Sequence, residues 1–366
     1  MPLTAYPLLF ATFAFILGAG IGSFLNVCIY RLPLGLSVNE PKRSFCPHCK
    51  YQIPWYRNLP LISWLSLRGK CANCGAGIPF RYFGVELLTG VLFLAVWLEK
   101  PWLMAFPYFI FVSLLVVATF IDFEHYIIPD EITWGGAGAG IILSLALPQL
   151  MGVDANLQGL LWSLVGAVVG YASLWSVVEL GKLAFGKQKV KLDPPERFDW
   201  TRKDDDATLL VGEETSLWSD YFSRETDRMI LTCRDVELDG KAYSDTTLTF
   251  HYDRVLVGGK ELELKQIGRI TATASEVLIP REAMGYGDVK FMACIGAFLG
   301  WQAVFFTVAS ASVIGSIIGG GAILLTRGKA PAKIPFGPYL ALGALVWLFT
   351  GPQLIAWYLG LLVPKQ

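Results

Sequence analysis

Apolar runs long enough for membrane helices recur along the chain, at residues 8–29, 83–98, 102–121, 132–150, 157–178, 301–325 and 336–363. A hydrocarbon core about 30 Å thick needs about 20 residues of helix, which most of these runs supply. A further apolar run, 289–300, is short and is expected to form an eighth crossing that begins within the membrane, with Asp288 at its cytosolic end. Between the first two runs, residues 31–81 hold Arg31, Lys42, Arg43, Lys50, Arg57, Arg68, Lys70 and Arg81 against the single acid Glu40, the signature of a loop kept in the cytoplasm. The loop 326–334 carries Arg327, Lys329 and Lys333, whereas 149–156 has no basic residue and Glu99-Lys100 is a bare turn. With eight crossings, every basic loop falls on one side and both termini lie outside the cytoplasm.

The pattern changes over residues 185–281. Lys187, Lys189 and Lys191 lead into Pro194-Pro195 and then Arg202-Lys-Asp-Asp-Asp206, which reads as linker or exposed loop. Beyond it, strand-like stretches at 229–233, 236–238 ahead of Asp239-Gly240, 247–252, 254–257 ahead of Gly258-Gly259, and 260–264 suggest β-hairpins built from about four short strands. The expected fold is an α-helical polytopic membrane protein of about eight transmembrane helices, with a small cytosolic loop domain and an inserted cytosolic β-rich domain. In chain order these are a first helix (1–30), the loop domain (31–82), helices two to five (83–184), the insert (185–281) and helices six to eight (282–366).

Composition strengthens the membrane reading, since 54% of residues are hydrophobic and only 16% charged. A formal net charge of zero supplies no bulk field toward nucleic acid, and no such partner is expected. The first apolar run lacks a basic leading segment and is long enough to span, so no cleavable signal peptide is expected. Ser23 and Asn26 within it argue for packing against other helices, and Gly18, Gly20 and Gly22 read as close-packing residues.

The most specific local chemistry is a pair of CxxC motifs, Cys46-Pro-His-Cys49 and Cys71-Ala-Asn-Cys74, in the basic loop. Four thiolates give zinc a closed tetrahedral shell with no open position for substrate, so this zinc is expected to be structural. A reducing compartment disfavours two disulfides instead. His48 lies between two ligands as a spare or as a merely exposed side chain, while Cys28, Cys233 and Cys294 read as apolar filler. With only three histidines and no HExxH, a membrane zinc protease is unsupported, and neither a serine elbow nor a phosphate-cradling loop is present.

Two aspartates border the apolar runs, Asp122 in Ile121-Asp-Phe-Glu124 and Asp288 in Gly285-Tyr-Gly-Asp288, where an unpaired charge is expensive. Held together, two carboxylates share one proton, so that one activates water while the other donates, which suits peptide hydrolysis. Asp122 emerges at the cytosolic end of its run. Asp288 lies about 13 residues, roughly 20 Å of helix, from Trp301, and so somewhat deeper. Gly285 and Gly287 permit an irregular backbone there. The bland alternative stands beside this one: Asp122, Glu124, Asp130 and Glu131 also read as a solvated acidic turn.

Taken in order, Gly22-Ser-Phe-Leu-Asn-Val-Cys-Ile-Tyr-Arg-Leu-Pro33, the CxxC pairs, Arg81-Tyr-Phe-Gly-Val-Glu-Leu-Leu-Thr-Gly90, Asp122 with Ile128-Pro-Asp130, Gly-Tyr-Gly-Asp-Val-Lys290 and Ile334-Pro-Phe-Gly-Pro338 resemble the type IV prepilin peptidases. These are GxGD-type aspartyl proteases of the bacterial inner membrane. The resemblance runs from about residue 10 to 182 and from 283 to 350. It implies removal of the basic leader from prepilins and pseudopilins after a glycine at the cytosolic face, then N-methylation of the new terminus with S-adenosylmethionine. It also implies that Asp122 and Asp288 are the catalytic pair, with Asp130 as second choice for the first. Tetracysteine members are generally the bifunctional ones, and Glu86 is the candidate for the methyl-donor site, though a satisfied structural acid is the competing reading. The insert departs from the family pattern and is expected to regulate access or to dock pilus or secretion machinery. A proton or ion transporter using the same carboxylates, or a non-catalytic scaffold built on the zinc loop, remain alternative functions.

Overall fold

Every apolar run becomes a helix in the computed structural model, which describes residues 7–41, 44–185, 188–203, 206–211, 214–218, 228–279, 285–325 and 335–362. Lys42, Arg43, Lys187, Asp204, Asp205 and the basic loop 326–334 lie outside the described residues. The helices are α1 (Pro7–Arg31), α2 (Ile62–Ser66), α3 (Phe80–Glu99), α4 (Trp102–His125), α5 (Asp130–Ala146), α6 (Asn156–Phe185), α7 (Tyr286–Leu299), α8 (Trp301–Leu325) and α9 (Gly337–Leu362). The chain divides into two compact units, one of Met1–Ser176 with Met284–Gln366, the other Val177–Ala283.

In the first unit, six helices among the described residues are long and apolar enough to cross a membrane: Leu8–Leu34, Phe80–Glu99, Trp102–His125, Asn156–Gly181, Trp301–Gly321 and Gly337–Tyr358. The other two apolar helices are shorter, 17 residues in α5 and 14 in α7. At 1.5 Å per residue α7 reaches only about 21 Å. Its residues Phe291 to Phe298 are all buried, as expected of a helix apolar on every face and enclosed by its neighbours. Glycines let those neighbours approach: a Cβ on Gly166 of α6 would strike the Gly296 carbonyl, and one on Gly170 the Met292 carbonyl. Ser163 of α6 donates to the Ala297 carbonyl at 2.7 Å, a polar tie inside an otherwise apolar contact. The same device joins α1 to α3, where a Cβ on Gly18 would lie 2.7 Å from Thr89 O and one on Gly22 2.8 Å from Glu86 Cα. Gly20 faces open space, so only two of the three glycines close-pack.

The second unit is an antiparallel sheet of strands β1 (Gln188–Lys203), β2 (Asp206–Val211), β3 (Glu214–Leu217), β4 (Arg228–Leu238), β5 (Lys241–His251), β6 (Arg254–Val257), β7 (Lys260–Glu263) and β8 (Arg269–Ile279). Their order is β3-β2-β1-β8-β4-β5-β6-β7, and Phe198, Trp200, Leu231, Phe250 and Ile270 lie in its core. Hairpins form where the Asp-Gly and Gly-Gly signals stand: Asp239 and Gly240 have φ of 46 and 83, Gly258 and Gly259 of 56 and 82, the left-handed pairs a tight turn requires.

Two expectations change. Among the described residues the sheet has eight strands rather than about four, and most of the stretch read as linker is β1, a strand inside the sheet. Pro194-Pro195 misled because prolines cannot donate to a ladder. Here the register against β8 shifts between Lys191 and Glu196, and the two prolines fall within that irregularity. Similarly, 229–233 and 236–238 are one strand, β4, with register breaks around Cys233 and Val236.

A buried charge pair ties β1 to β8. Asp199 accepts from Arg269 Nε at 3.0 Å and from its Nη2, and from Thr201 Oγ1 at 3.1 Å. The Arg269 hydrogen bonds hold the Asp199 carboxyl below its ordinary range, outweighing its burial. A depressed carboxylate contributes stability above its unfolded value near pH 4, and that contribution fades as pH falls through the lower folded value. Asp199→Asn is expected to cost about 1–2 kcal/mol, allowing for the half-exposed Arg269. Faster amide exchange in β1 and β8 at pH 7, but little difference from the parent at pH 2, is the measurement that checks it.

Candidate functional site

Asp122 stands in the last turn of α4, 5% exposed. The helix stops because Tyr126 turns left-handed (φ 56) and donates its amide to Asp122 O at 3.0 Å. Pro129 then starts α5 at Asp130. Gly337 opens α9, and its amide, one of the donors that a first helical turn leaves unsatisfied, reaches Asp122 Oδ2 at 2.9 Å. Asp288 lies in the first turn of α7, 8% exposed, behind the extended Gly285 (φ −67, ψ 139).

Ile128, in the short α4–α5 connection and itself buried, is gripped from two sides. A Cβ on Gly287 would sit 3.3 Å from Ile128 N, and one on Gly337 2.9 Å from Ile128 Cδ1 and 2.7 Å from Asp122 Oδ2. The start of α7, which carries Asp288, and the start of α9, which holds Asp122, therefore close on one residue. Gly287 is required by close approach rather than by irregular backbone, since it lies within the helix and Gly285 has an ordinary φ. Asp130 differs from Asp122 in kind: its side chain is 61% exposed and bound to Lys290 Nζ at 2.6 Å. A second ion pair, Arg81 with Glu124, joins the first turn of α3 to the last of α4. The Gly337 amide and the Lys290 partner escaped the sequence reading. Both residues stood in motifs quoted for resemblance, but only folding reveals what they touch.

The tetracysteine segment forms two matching knuckles. In each, the amide after the second cysteine returns to the first cysteine's carbonyl, Lys50 to Cys46 and Gly75 to Cys71, both at 2.9 Å. Lys50 and Gly75 have φ of 56 and 73, so both turns use the left-handed region at the same step. The sulfurs of Cys46, Cys49, Cys71 and Cys74 lie within 4.8 Å of one another, a donor set of four soft ligands that fits zinc. Amides also prepare the thiolates that a metal needs. Those of Cys74 and Asn73 draw Cys71 down to about 6, and that of Tyr51 lowers Cys49. At Cys74 the Ala76 amide pulls the same way, but the neighbouring sulfurs, Cys49 first, outweigh it and push the thiol up to about 11.

Glu86 is not beside the aspartates. It lies one turn into α3, buried, accepting the Leu61 amide at 2.7 Å, on the wall of a cavity of about 200 Å³ enclosed by α1, α3 and the knuckle segment. Ser23, Asn26, Tyr82, Trp64, Cys46 and Cys71 line it as well.

Two family descriptions match the chain: the bacterial peptidase A24 N-terminal domain over residues 16–100, and the type IV leader peptidase family over 109–192 and 257–320. The interval 193–256 between the latter two stretches falls in the sheet. The prepilin leader peptidase/N-methyltransferase of Aeromonas hydrophila is 31% identical over 96% of this chain and 95% of its own length. That of Myxococcus xanthus is 31% identical over 97% and 77%, and that of Stutzerimonas stutzeri 29% over 98% and 96%. No solved structure matches the chain.

The knuckle geometry makes a direct prediction. Purified protein is expected to carry one zinc per chain by elemental analysis. Cys46→Ser is expected to lose it and to open residues 44–78 to proteolysis, because among the described residues the sulfur cluster and the Asn73 bond to Cys49 Sγ are what join the two knuckles.

Proposed function

The chain belongs to the type IV leader peptidase family, and from that premise we propose that it cleaves the leader from type IV prepilins and pseudopilins after a glycine and then N-methylates the new terminus. It is an enzyme of a protease family. Its membrane domain, by this reading, crosses the inner membrane eight times, with α5 and α7 as the two short crossings. The basic knuckle segment and the insert 185–281 face the cytoplasm, where the leader's own positive charge would lie.

The observation that carries the reading is the pair of buried acids, Asp122 held by the start of α9 and Asp288 borne by the start of α7, two helix starts that close on Ile128. Chance rarely puts two carboxylates at membrane depth, and where they occur they mark a functional site. In the proposed cycle one carboxylate takes a proton from water as its oxygen adds to the scissile carbonyl carbon, while the other gives its proton to the carbonyl oxygen. As the C–N bond breaks, the first acid passes its proton to the leaving amine and a hydroxyl of the tetrahedral diol returns a proton to the second, restoring one protonated and one ionised acid. Gly337 positions Asp122 through its amide. Gly285 and Gly287 shape the approach to Asp288. The zinc knuckles are structural, and Glu86 belongs to the site of the methyl donor, S-adenosylmethionine, which supplies an activated methyl group when bound. The insert regulates access or docks pilus or secretion machinery.

Purified protein incubated with a prepilin and S-adenosylmethionine is expected to yield a product lighter by the leader and heavier by one methyl group. Asp122→Asn and Asp288→Asn should each lower cleavage at least about a hundredfold while insertion and zinc content persist. Parental cleavage by either variant defeats the assignment. Gly337→Ala sets a Cβ against Asp122 Oδ2, and a loss of about tenfold or more in cleavage is expected from that displacement.

A further inference from the structure

The cavity beside Glu86 has chemistry that the peptidase site does not use. Asn26, inside α1 and only 2% exposed, donates its Nδ2 to Tyr82 O at 3.0 Å and to Gly22 O at 3.3 Å. Both partners are carbonyls, which fixes the carboxamide's orientation. Its Oδ1 is then left buried with no partner among the described residues, Ser63 Oγ is in the same position, and both residues line the cavity. Orphaned acceptors of this kind are rare enough to need a reason.

A third acceptor is the Glu86 carboxylate, and holding it involves strain. Leu61 adopts φ 63 and ψ −49, a conformation a branched residue seldom takes, and in doing so delivers its amide to Glu86 Oε2. Unusual backbone of this sort persists where surrounding structure enforces it and clusters at ligand sites. The guanidinium of Arg31, the nearest strong donor on α1, is occupied by the carbonyls of Ser37, Val38 and Pro41. The wall also carries the aromatic rings of Tyr51, Trp64 and Tyr82 and the basic side chains of His48 and Arg57, and the Trp64 ring is fixed by its Nε1 donating to Ile78 O at 3.2 Å.

Three acceptors, several π-faces and a basic flank at His48 and Arg57, which suits a carboxylate end, define the complement. A ligand with no cationic centre would leave the Glu86 carboxylate unmatched, and a hydrocarbon would leave the acceptors orphaned. The fitting ligand is a cation that donates hydrogen bonds and carries a flat ring. The space of about 200 Å³ is many times what one ordered water needs. We infer that this cavity seats the methyl donor as an adenosyl sulfonium, with Asn26 Oδ1 and Ser63 Oγ accepting from its N–H and O–H groups and Glu86 with the aromatic wall facing its positive charge. The inference rests on the methyl-transfer reading above and goes beyond it by naming Asn26 and Ser63 and by assigning Glu86 to charge recognition. Sulfonium and quaternary ammonium cations share the attraction to aromatic faces that underlies such cages.

The test uses full-length, zinc-loaded protein in detergent, titrated calorimetrically with S-adenosylmethionine and with its uncharged thioether product, S-adenosylhomocysteine. Asn26→Leu is expected to raise Kd at least about fivefold for both ligands, because it removes a neutral acceptor. Glu86→Gln is expected to raise Kd for the sulfonium about tenfold while changing the thioether's much less, a charge-selective signature that a merely structural role would not give. Parental affinities in both variants, with the parent binding and methylating normally, overturn this site and leave the methyltransferase reading intact. A parent that neither binds the sulfonium nor adds a methyl group to a cleaved prepilin overturns that reading and this inference together. Should Asn26→Leu fail to retain zinc, Ser63→Ala carries the same measurement: weaker binding of both ligands supports the site and unchanged binding counts against it.

Discussion

A hydrocarbon interior offers no water to a polar group, so each one placed there must be met by another part of the protein. The membrane unit is organised by such meetings. Asp122 meets the first amide of α9, Ser163 meets a carbonyl of α7, and Asn26 meets the Tyr82 carbonyl of α3. Even Lys100, in the turn between α3 and α4, sends its Nζ to the Leu348 carbonyl at 2.6 Å, and its burial lowers its pKa. Each contact joins elements far apart in sequence. Together they fix which helix end lies beside which, a matter on which apolar packing alone is lenient.

Packing then supplies closeness. α7 is too short to span alone and is buried along its length, and it fits because α6 presents Gly166 and Gly170 to its backbone. A buried short helix has its first turn held at depth, and that turn carries Asp288. Gly337 and Gly287 perform the same service around Ile128, where a Cβ at Gly337 would force the α9 start away and one at Gly287 would be tight against the α4–α5 connection. Small residues here are means of bringing helix starts together.

Much of this was legible in the order of residues. Apolar runs located every long helix of the membrane unit, though not the five-residue α2, since burial in lipid demands the same composition on all faces. Spacing of the CxxC motifs foretold four converging sulfurs, because a two-residue gap leaves few ways to fold. Asp-Gly and Gly-Gly announced their hairpins for a steric reason. The sheet was harder. Pro194-Pro195 reads as a break in any local pattern, and only pairing with β8, which returns from Arg269–Ile279, makes β1 a strand. Likewise nothing local says that Asn26 keeps an oxygen spare, or that Gly337 donates to Asp122, since both depend on partners in other elements.

The two knuckles have a further implication. Cys46 and Cys71 contribute to the four-sulfur cluster that fits a metal and also form part of the wall of the cavity beside Glu86. An ion and a small molecule sharing a partition cannot be energetically indifferent if either one shifts it. Whatever factor the metal adds to the molecule's affinity, thermodynamic reciprocity returns to the metal. Scarcity of one would then be felt as loosened hold on the other, with the shared cysteine wall as the conduit.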